Sequence, residues 1–369
     1  MKDILIIGGG LAGLTSAIHL SKAGWKVMLL EKKGYPRHKV CGEYISNEVL
    51  PYLSTLGLDP MLLSPQNIKR FQLTAPSGKF IEKPLDLGGF SVRRYTLDEY
   101  LYQQALQCKT EIYLNTTVQK VEFKGDFFEV STSKGVIFEA KIVIGGYGKR
   151  SLIDKNLKRP FFQDRSYYIG VKQYFEFPFP DDLVALHNFE GGYCGVSKVE
   201  NGWINVAYLT TKQSLQQYGT IEALQQKALG KNPFLKEVFE VGKPIHDKPF
   251  VISNVSFQKK ESVCEHILMC GDSAGMISPL SGNGMAMAIH SAKIASDLVN
   301  NFLEGKISRT AMENQYDRQW KTLFRSRLFW GKHLQKFMGH SFISEFSVKG
   351  LKLFPFLLNG IIRQTHGSS

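Results

Sequence analysis

The sequence predicts an α/β protein in which a Rossmann-like nucleotide-binding domain is interleaved with a β-sheet substrate domain and followed by C-terminal helices. Three observations lead to this fold class. Short apolar runs lie at residues 4–7 and 267–270, each followed by a glycine-rich turn, and much of the segment at 111–208 has the pattern of β-strands. Nucleotide-binding elements near both ends are typical of a domain that is split in the sequence but joined in space.

Apolar periodicity and turn residues place the elements in order. Residues 4–7 and 27–30 are predicted as buried parallel strands on either side of a helix at 11–23, which Gly24 ends. Next come a loop at 34–46, a helix from about residue 47, a hairpin at 71–85, a helix at 97–106, and strands at 111–114, 118–123, 127–131 and 136–144. Strand is predicted for most of 167–208, then helices at 214–229 and 233–238, a strand at 267–270, a helix at 283–303 and a largely helical remainder from 308.

We therefore expect a discontinuous nucleotide-binding domain formed by residues 1–70, 91–155 and 256–305. Residues 71–90 and 156–255 form the expected substrate domain, and residues 306–369 a C-terminal helical region. Strands alternating with helices are typical of the first unit, and successive strands of the second.

The composition is that of a globular protein with a basic surface. The chain has 369 residues, 43% of them hydrophobic, and a formal net charge of +13. Such a charge suits anionic ligands or an anionic membrane, and no nucleic-acid-binding motif accompanies it. The five cysteines have no CxxC spacing and predict neither a metal site nor a disulfide framework. No apolar stretch approaches the ~20 residues of a membrane span, so we expect a cytoplasmic protein, with peripheral membrane contact left open.

The first glycine-rich turn has the spacing of a dinucleotide site. Gly8 permits the tight turn, Gly10 lets a pyrophosphate approach the backbone, and Gly13 lets the helix pack closely on the strand. The helix N-terminus, with Leu11 and Ala12, points free N–H groups at the phosphates. Glu31, at the end of the next strand, is placed to hold ribose hydroxyls. This motif alone does not distinguish FAD from NAD.

A second segment favours FAD. Gly271 and Asp272 follow a buried strand, where a carboxylate can accept hydrogen bonds from a polyol chain. The turn at 279–284 then leads into a helix whose N-terminal dipole suits the edge of a reduced flavin. Arg94, just before a helix, is placed to reach a phosphate or the flavin, and an ion pair with Asp98 on the same helix is the alternative.

These three segments resemble the FAD-dependent oxidoreductases of the hydroxybenzoate-hydroxylase fold group, whose FAD-binding domain is of the GR2 type. The resemblance implies that Asp272 contacts the ribityl chain and that residues 282–285 cover the flavin pyrimidine. Beyond the residues already named, it implies that the cofactor is contacted by Lys32, Arg37, Cys41, Gly42, Val118, Gly146, Pro279, Gly282, Asn283, Gly284 and Met285.

Within this group the sequence is most similar to the geranylgeranyl reductases, which carry a Lys-x-Cys-Gly loop like the one at 39–42. Flavin-dependent halogenases and several monooxygenases carry a related loop. Tyr147 stands where many hydroxylases have an aspartate, and Gly195 and Lys198 stand where prenyl reductases tend to have tryptophan and proline. These departures put the usual nicotinamide contacts and the usual prenyl pocket in question.

The predicted activity is hydride transfer from reduced flavin to a double bond of a lipophilic, isoprenoid-like substrate. Such a reduction also needs a proton donor, for which Cys41 and Glu43 are the candidates. The alternatives are that Cys41 is a packing residue and that Glu43 caps the helix near residue 47. Tyr193 and Tyr208 are predicted to line the substrate pocket. NAD(P)H binding transiently, or an electron-donor protein, would reduce the flavin.

Two other functions stay open at this point. One is a monooxygenase that hydroxylates an aromatic or polyketide-like compound, and the other is a non-catalytic electron-transfer or regulatory flavoprotein. From residue 321 onward, basic and apolar residues alternate with Glu345 as the only acid, which suits an interfacial helix on anionic lipid. A helix that covers the substrate domain with a wet basic face is the alternative.

Overall fold

The computed structural model describes residues 1–163, 167–277, 282–337 and 341–353. The strands are β1 (Lys2–Ile7), β2 (Val27–Leu30), β3 (Tyr44–Ser46), β4 (Gln66–Thr74), β5 (Phe80–Ser91), β6 (Glu111–Tyr113), β7 (Val118–Phe123), β8 (Phe128–Thr132), β9 (Ile137–Gly145), β10 (Tyr168–Glu176), β11 (Leu183–Phe189), β12 (Gly192–Lys198), β13 (Ile204–Thr211), β14 (Lys243–Pro244), β15 (Phe250–Val255), β16 (Val263–Cys264) and β17 (Ile267–Met269). The helices are α1 (Leu11–Lys22), α2 (Leu50–Thr55), α3 (Arg94–Gln107), α4 (Leu152–Asn156), α5 (Lys212–Tyr218), α6 (Ile221–Lys227), α7 (Pro233–Val241), α8 (Gly284–Leu303), α9 (Arg309–Phe337) and α10 (Ser341–Leu353).

The first sheet is a parallel nucleotide-binding sheet with an antiparallel extension. Its strand order is β16-β17-β9-β1-β2-β6, with β8 and then β7 added antiparallel beside β9. Strand β1 runs parallel to both β2 and β9, and β17 runs parallel to β9. The carboxyl ends of these strands therefore meet at one edge, where ligands bind in open α/β sheets. Strand β1 is buried from Ile4 to Ile7, where its side chains share one core with α1 and α8, which confirms the predicted α/β class.

The second sheet has the strand order β14-β10-β13-β12-β11-β4-β5-β3, with β15 beside β10. It includes β3 and all of β4, so the predicted boundary at residue 70 divides a strand of this sheet. Successive side chains of each strand point to opposite faces of the sheet, and the two faces pack against different parts of the chain. We call the face that carries Lys172, Asn205 and Tyr193 the loop face, and the face that carries Tyr208 the helix face.

The C-terminal helices pack on both parts of the fold. Helix α9 buries Tyr316 and Trp320 in the core that α8 shares with the first sheet. Helix α10 lies over the loop face of the second sheet, where Val348 packs with Leu73 and Tyr193. Among the helices of the described residues, none has the length and hydrophobicity that crossing a bilayer requires.

Candidate functional site

The first turn has the geometry of a phosphate-binding loop. Gly8 has a φ of +99°, and a methyl group on Gly13 would lie 1.9 Å from the carbonyl oxygen of Gly8. At Gly10, in contrast, the nearest atom to such a methyl group is the Nζ of Lys39 at 3.8 Å, so a methyl group fits there without a clash. Helix α1 begins there without a side-chain cap, which leaves its N-terminal N–H groups, including those of Leu11 and Ala12, for an anion.

Glu31 is built into the edge of this turn. Its buried carboxylate accepts hydrogen bonds from the backbone N–H of Gly9 at 2.6 Å and of Lys33 at 2.9 Å, and from Arg37 at 2.8 Å. Burial alone would raise the pKa of Glu31, but the hydrogen bond and charge of Arg37 hold it below its usual range. Arg37 thus forms an ion pair with Glu31. Lys32, the residue after Glu31, is exposed.

Asp272 lies in a short 3-10 turn at the end of β17, on the same edge of the sheet. Burial raises the pKa of its carboxyl, while the charges of Lys260 and Arg94 oppose that rise. The turn is held from both sides: Gly271 donates its N–H to Ser291 of α8 at 2.9 Å, and Lys260 donates to the carbonyl of Asp272 at 2.7 Å. A half-buried carboxylate among cations can bind the hydroxyls of a polyol chain.

The predicted flavin turn is described only from Gly282 onward, and Pro279 lies outside the described residues. Gly282 has a φ of +60°. Asn283 donates its amide to Glu48 at 2.9 Å and precedes the first residue of α8, Gly284. Met285 is buried against the core. The turn of Asp272 packs against the first half of α8, since a methyl group on Gly271 would lie 3.3 Å from Ala288.

Arg94 pairs with Asp98 through two hydrogen bonds of 2.8 and 3.0 Å, as the alternative interpretation had it. Lys39 joins this pair at 2.6 Å from Asp98. Burial alone would raise the pKa of Asp98, but Arg94 and Lys39 hold it below its usual range. The two cations lie close to the glycine turn and to Asp272, where an anionic dinucleotide would add negative charge.

Cys41 lies between the two sheets. Its thiol is half-buried and accepts the N–H of Glu43 at 3.5 Å, and its carbonyl accepts the side-chain amide of Asn205 at 3.1 Å. Beside it, a methyl group on Gly42 would meet no atom within 4 Å, so this part of the loop borders open space. The loop that carries Cys41 is thus attached to the second sheet and borders open space at Gly42.

The structure does not support Glu43 as a proton donor to substrate. Its carboxylate is fully buried and accepts hydrogen bonds from Lys172, from Tyr174 at 2.9 Å and from the N–H of Arg94 at 2.7 Å. The last contact caps the first turn of α3. The alternative, a cap on the helix near residue 47, is also wrong, because Ser46 accepts the hydrogen bond there.

The remaining predicted cofactor residues differ in position. Gly146 packs against the glycine turn, since a methyl group on it would lie 3.2 Å from the nitrogen of Gly13. Val118 is buried in β7, opposite Thr132 of β8, in the antiparallel extension of the first sheet. Tyr147, where an aspartate was expected in hydroxylases, donates to Asp154 at 2.9 Å and so belongs to a structural cluster.

Tyr193 and Tyr208 do not line one pocket. Tyr193 lies on the loop face and packs with Leu73 and Leu209. Tyr208 lies on the helix face, where Leu224 and other side chains of α6 and α7 cover it. The prediction for Tyr208 is therefore wrong, because its position in the strand register points it away from the Cys41 loop.

Sequence reasoning missed three polar residues of the loop face: Lys172, Tyr174 and Asn205. All three are buried and contact the loop at 39–43. The one signal in the sequence is a lysine inside an otherwise largely apolar strand, since buried lysines need a partner.

This combination fits an FAD site: a glycine turn, a carboxylate at the end of the second strand, and a second carboxylate at the same sheet edge. A profile of the FAD binding domain family matches residues 1–319. The chain belongs to this family, and it is an FAD-dependent oxidoreductase.

The most similar proteins include enzymes of several kinds. Conditioned medium factor receptor 1 of Dictyostelium discoideum is 25% identical over 361 residues, which cover 87% of this chain and 68% of that protein. Digeranylgeranylglycerophospholipid reductase of Methanocaldococcus jannaschii is 25% identical over 357 residues, covering 92% and 84%. A solved flavin-dependent halogenase superposes with a TM-score of 0.78 at 20% identity, covering 88% of this chain and 63% of that chain. The resemblance to geranylgeranyl reductases and the fold class are thereby confirmed.

Proposed function

We propose that this protein reduces carbon–carbon double bonds of a lipophilic, isoprenoid-like substrate. The observation that carries the proposal is the loop of Cys41, which reaches the glycine turn through Lys39 and the second sheet through the hydrogen bond from Asn205 to the carbonyl of Cys41. FAD bound at the turn would supply hydride from its reduced form. The similarity to a digeranylgeranylglycerophospholipid reductase supports the same substrate class.

The loop face offers a surface for an apolar chain. At its far end Leu73, Leu186, Tyr193 and Leu209 are buried in an apolar cluster with Val348 of α10. Neighbouring strands place two small residues, Gly195 and Ala207, directly opposite each other on this face, and both are partly exposed. Small side chains at this point leave room above the sheet, whereas most other residues of these strands are buried. This surface suits a hydrocarbon chain better than a charged substrate.

In this proposal the protein supplies the proton that completes the reduction. Reduced FAD would supply the hydride for one carbon of the double bond, and the Cys41 thiol would give its proton to the neighbouring carbon. The resulting thiolate regains a proton from water after the product leaves. NAD(P)H, bound transiently, would return a hydride to the cofactor, or an electron-donor protein would return two electrons while a proton is taken up from water.

The test uses FAD-loaded protein, reduced with dithionite without oxygen and mixed with a geranylgeranylated phospholipid. The expected product has gained two hydrogens per reduced double bond, as measured by mass spectrometry. The Cys41→Ala variant is expected to form product at least about tenfold more slowly. A general acid speeds a reaction by about 10²-fold at the lower end, and water replaces part of that effect in the variant. Absence of any reduced product would overturn the proposal, and oxygen-dependent hydroxylation of an aromatic compound would favour the monooxygenase alternative.

We also propose that the basic C-terminal helices touch an anionic membrane surface from which such a substrate would come. On α9 the side chains of Leu323, Phe329 and Trp330 are exposed, and Lys321 and Arg325 lie beside them. Exposed aromatic and basic groups together suit the interface of an anionic bilayer. The packing of α10 on the loop face supports the covering-helix interpretation for that segment.

A further inference from the structure

A buried network of charged and polar groups lies directly behind the Cys41 loop, which we define as residues 39–43. Lys172, from the middle of β10, points its ammonium into this network with no exposed surface. The ammonium donates to the carboxylate of Glu43, to the hydroxyl of Tyr174 at 2.6 Å and to the carbonyl of Lys39 at 3.2 Å. All three N–H bonds of the lysine are thereby used.

The network holds the loop at alternate residues. Lys172 binds the carbonyl of Lys39 and the side chain of Glu43, which lie two residues before and after Cys41. Asn205 binds the carbonyl of Cys41 itself at 3.1 Å. Because Tyr174 and Asn205 are directly paired in neighbouring strands, these holding groups form one compact patch of the loop face.

The loop is also attached to α3, the helix that packs against α1. The side chain of Lys39 binds Asp98 at 2.6 Å, and its Nζ lies beside Gly10. The loop thus bridges the glycine turn and the second sheet, and Cys41 lies at the middle of this bridge. Glu43 adopts a left-handed conformation with a φ of 60°, which is uncommon for a glutamate and is maintained here by its contacts.

Burying the ion pair of Lys172 and Glu43 costs free energy, and the packing around it does not explain why the pair is there. A fully buried ion pair loses the hydration of both charges, and well-packed apolar residues of the same size are often as stable. Burial raises the pKa of Glu43 and lowers the pKa of Lys172, while each charge counteracts the shift of the other. The pair is therefore better explained by what it holds in place than by its contribution to stability.

We propose that Lys172 and Asn205 are positioning residues that fix the Cys41 thiol between the cofactor and the substrate on the loop face. The second sheet, which would bind the substrate, thereby also sets the position of the proton donor. This inference rests on the proposed function for the role of Cys41, but the hold on the loop is a property of the protein without cofactor.

The experiment measures how fast iodoacetamide modifies Cys41, by mass spectrometry of the peptide that contains it, in FAD-free and FAD-loaded protein. The double variant Lys172→Met with Glu43→Gln removes both buried charges and so avoids leaving one of them unpaired. We expect Cys41 to react at least about tenfold faster in this variant without FAD, because local opening of the loop exposes the thiol. In the FAD-loaded enzyme we expect kcat for reduction to fall while KM stays the same, since the apolar part of the loop face is unchanged.

Gln173→Leu is the matched control, because Gln173 is the next residue along β10, is similarly buried, and lies on the helix face. It is expected to leave the reactivity of Cys41 unchanged. If the double variant does not fold, Asn205→Ala, which removes the contact to the carbonyl of Cys41, is expected to raise the reactivity in the same direction.

A folded double variant or Asn205→Ala protein with wild-type reactivity of Cys41 would overturn the proposal, as would an equal increase in Gln173→Leu. If wild-type protein forms no reduced product while the variants still expose Cys41, the proposed function fails and the hold on the loop stands. The two conclusions can thus be separated.

Discussion

Alanine at two glycines of the first turn separates cofactor binding from folding. At Gly13 the added methyl group would lie 1.9 Å from the carbonyl oxygen of Gly8, so the backbone would have to move by about 1.5 Å to reach an ordinary contact of 3.4 Å. Overpacking of this kind typically costs about 1–3 kcal/mol, and two backbone segments in contact place it at the upper end. Gly13→Ala is therefore expected to destabilise the FAD-free protein by about 3 kcal/mol.

At Gly10 the same methyl group meets nothing closer than the Nζ of Lys39 at 3.8 Å, and its φ of −89° is accessible to alanine. Replacement of glycine by alanine at the N-cap of a helix costs about 1 kcal/mol or less. Gly10→Ala should therefore fold normally but bind FAD at least about tenfold more weakly, which corresponds to about 1.4 kcal/mol, because the methyl group occupies the approach of the pyrophosphate.

Urea unfolding of the FAD-free variants and titration of flavin fluorescence measure the two effects independently. The reasoning is refuted at Gly10 if its alanine variant binds FAD as tightly as the wild-type protein. It is refuted at Gly13 if its alanine variant unfolds at the wild-type urea concentration.

Three further predictions concern other parts of the molecule. Burial lowers the pKa of His187 to about 3 from 6.5. The stability that its neutral ring contributes is therefore complete above pH 6.5 and is lost as the pH falls toward 3. In His187→Gln the free energy of unfolding, measured by urea titration, should vary less over this pH range, and the same pH dependence as in the wild-type protein would contradict the prediction. Gly195→Leu should lower kcat/KM for lipid reduction while the affinity for FAD stays the same, because the leucine side chain fills the partly exposed position on the loop face. A wild-type kcat/KM would indicate that the substrate does not bind at this surface. Phe329→Ser with Trp330→Ser should reduce co-sedimentation with phosphatidylserine vesicles, and equal binding of both proteins would exclude this face of α9.

Local patterns in the sequence were sufficient for most elements of the first sheet. The βαβ unit lies within one residue or two of its predicted bounds, since each strand is a short apolar run closed by a turn residue. The hairpin of β4 and β5 is longer than predicted, because its outer residues 66–68 and 89–91 pair with each other and residues 89–91 also pair with β3, an earlier segment of the chain. The helix predicted at 97–106 begins earlier, at Arg94, where the carboxylate of Glu43 caps it.

The predictions that failed concern contacts between distant segments. Glu43 was expected to face substrate or to cap a neighbouring helix, but its partners Lys172 and Tyr174 lie about 130 residues away in the sequence. Tyr208 was expected beside Tyr193, but the register of β12 and β13 places the two rings on opposite faces. No periodicity within a single strand specifies which face will meet a loop from another part of the chain.

The sequence by itself determined that this protein binds a dinucleotide and which residues form the turn that does so. Glycine spacing, a short buried strand and an acidic residue at the next strand end are local features, and their chemistry requires those residue types at those positions. Only the tertiary structure decided what lies opposite the cofactor site. The loop of Cys41 is held by Lys172 and Asn205, which reach it because the second sheet packs against the first. Such contacts depend on strand order and register, which the whole chain sets together.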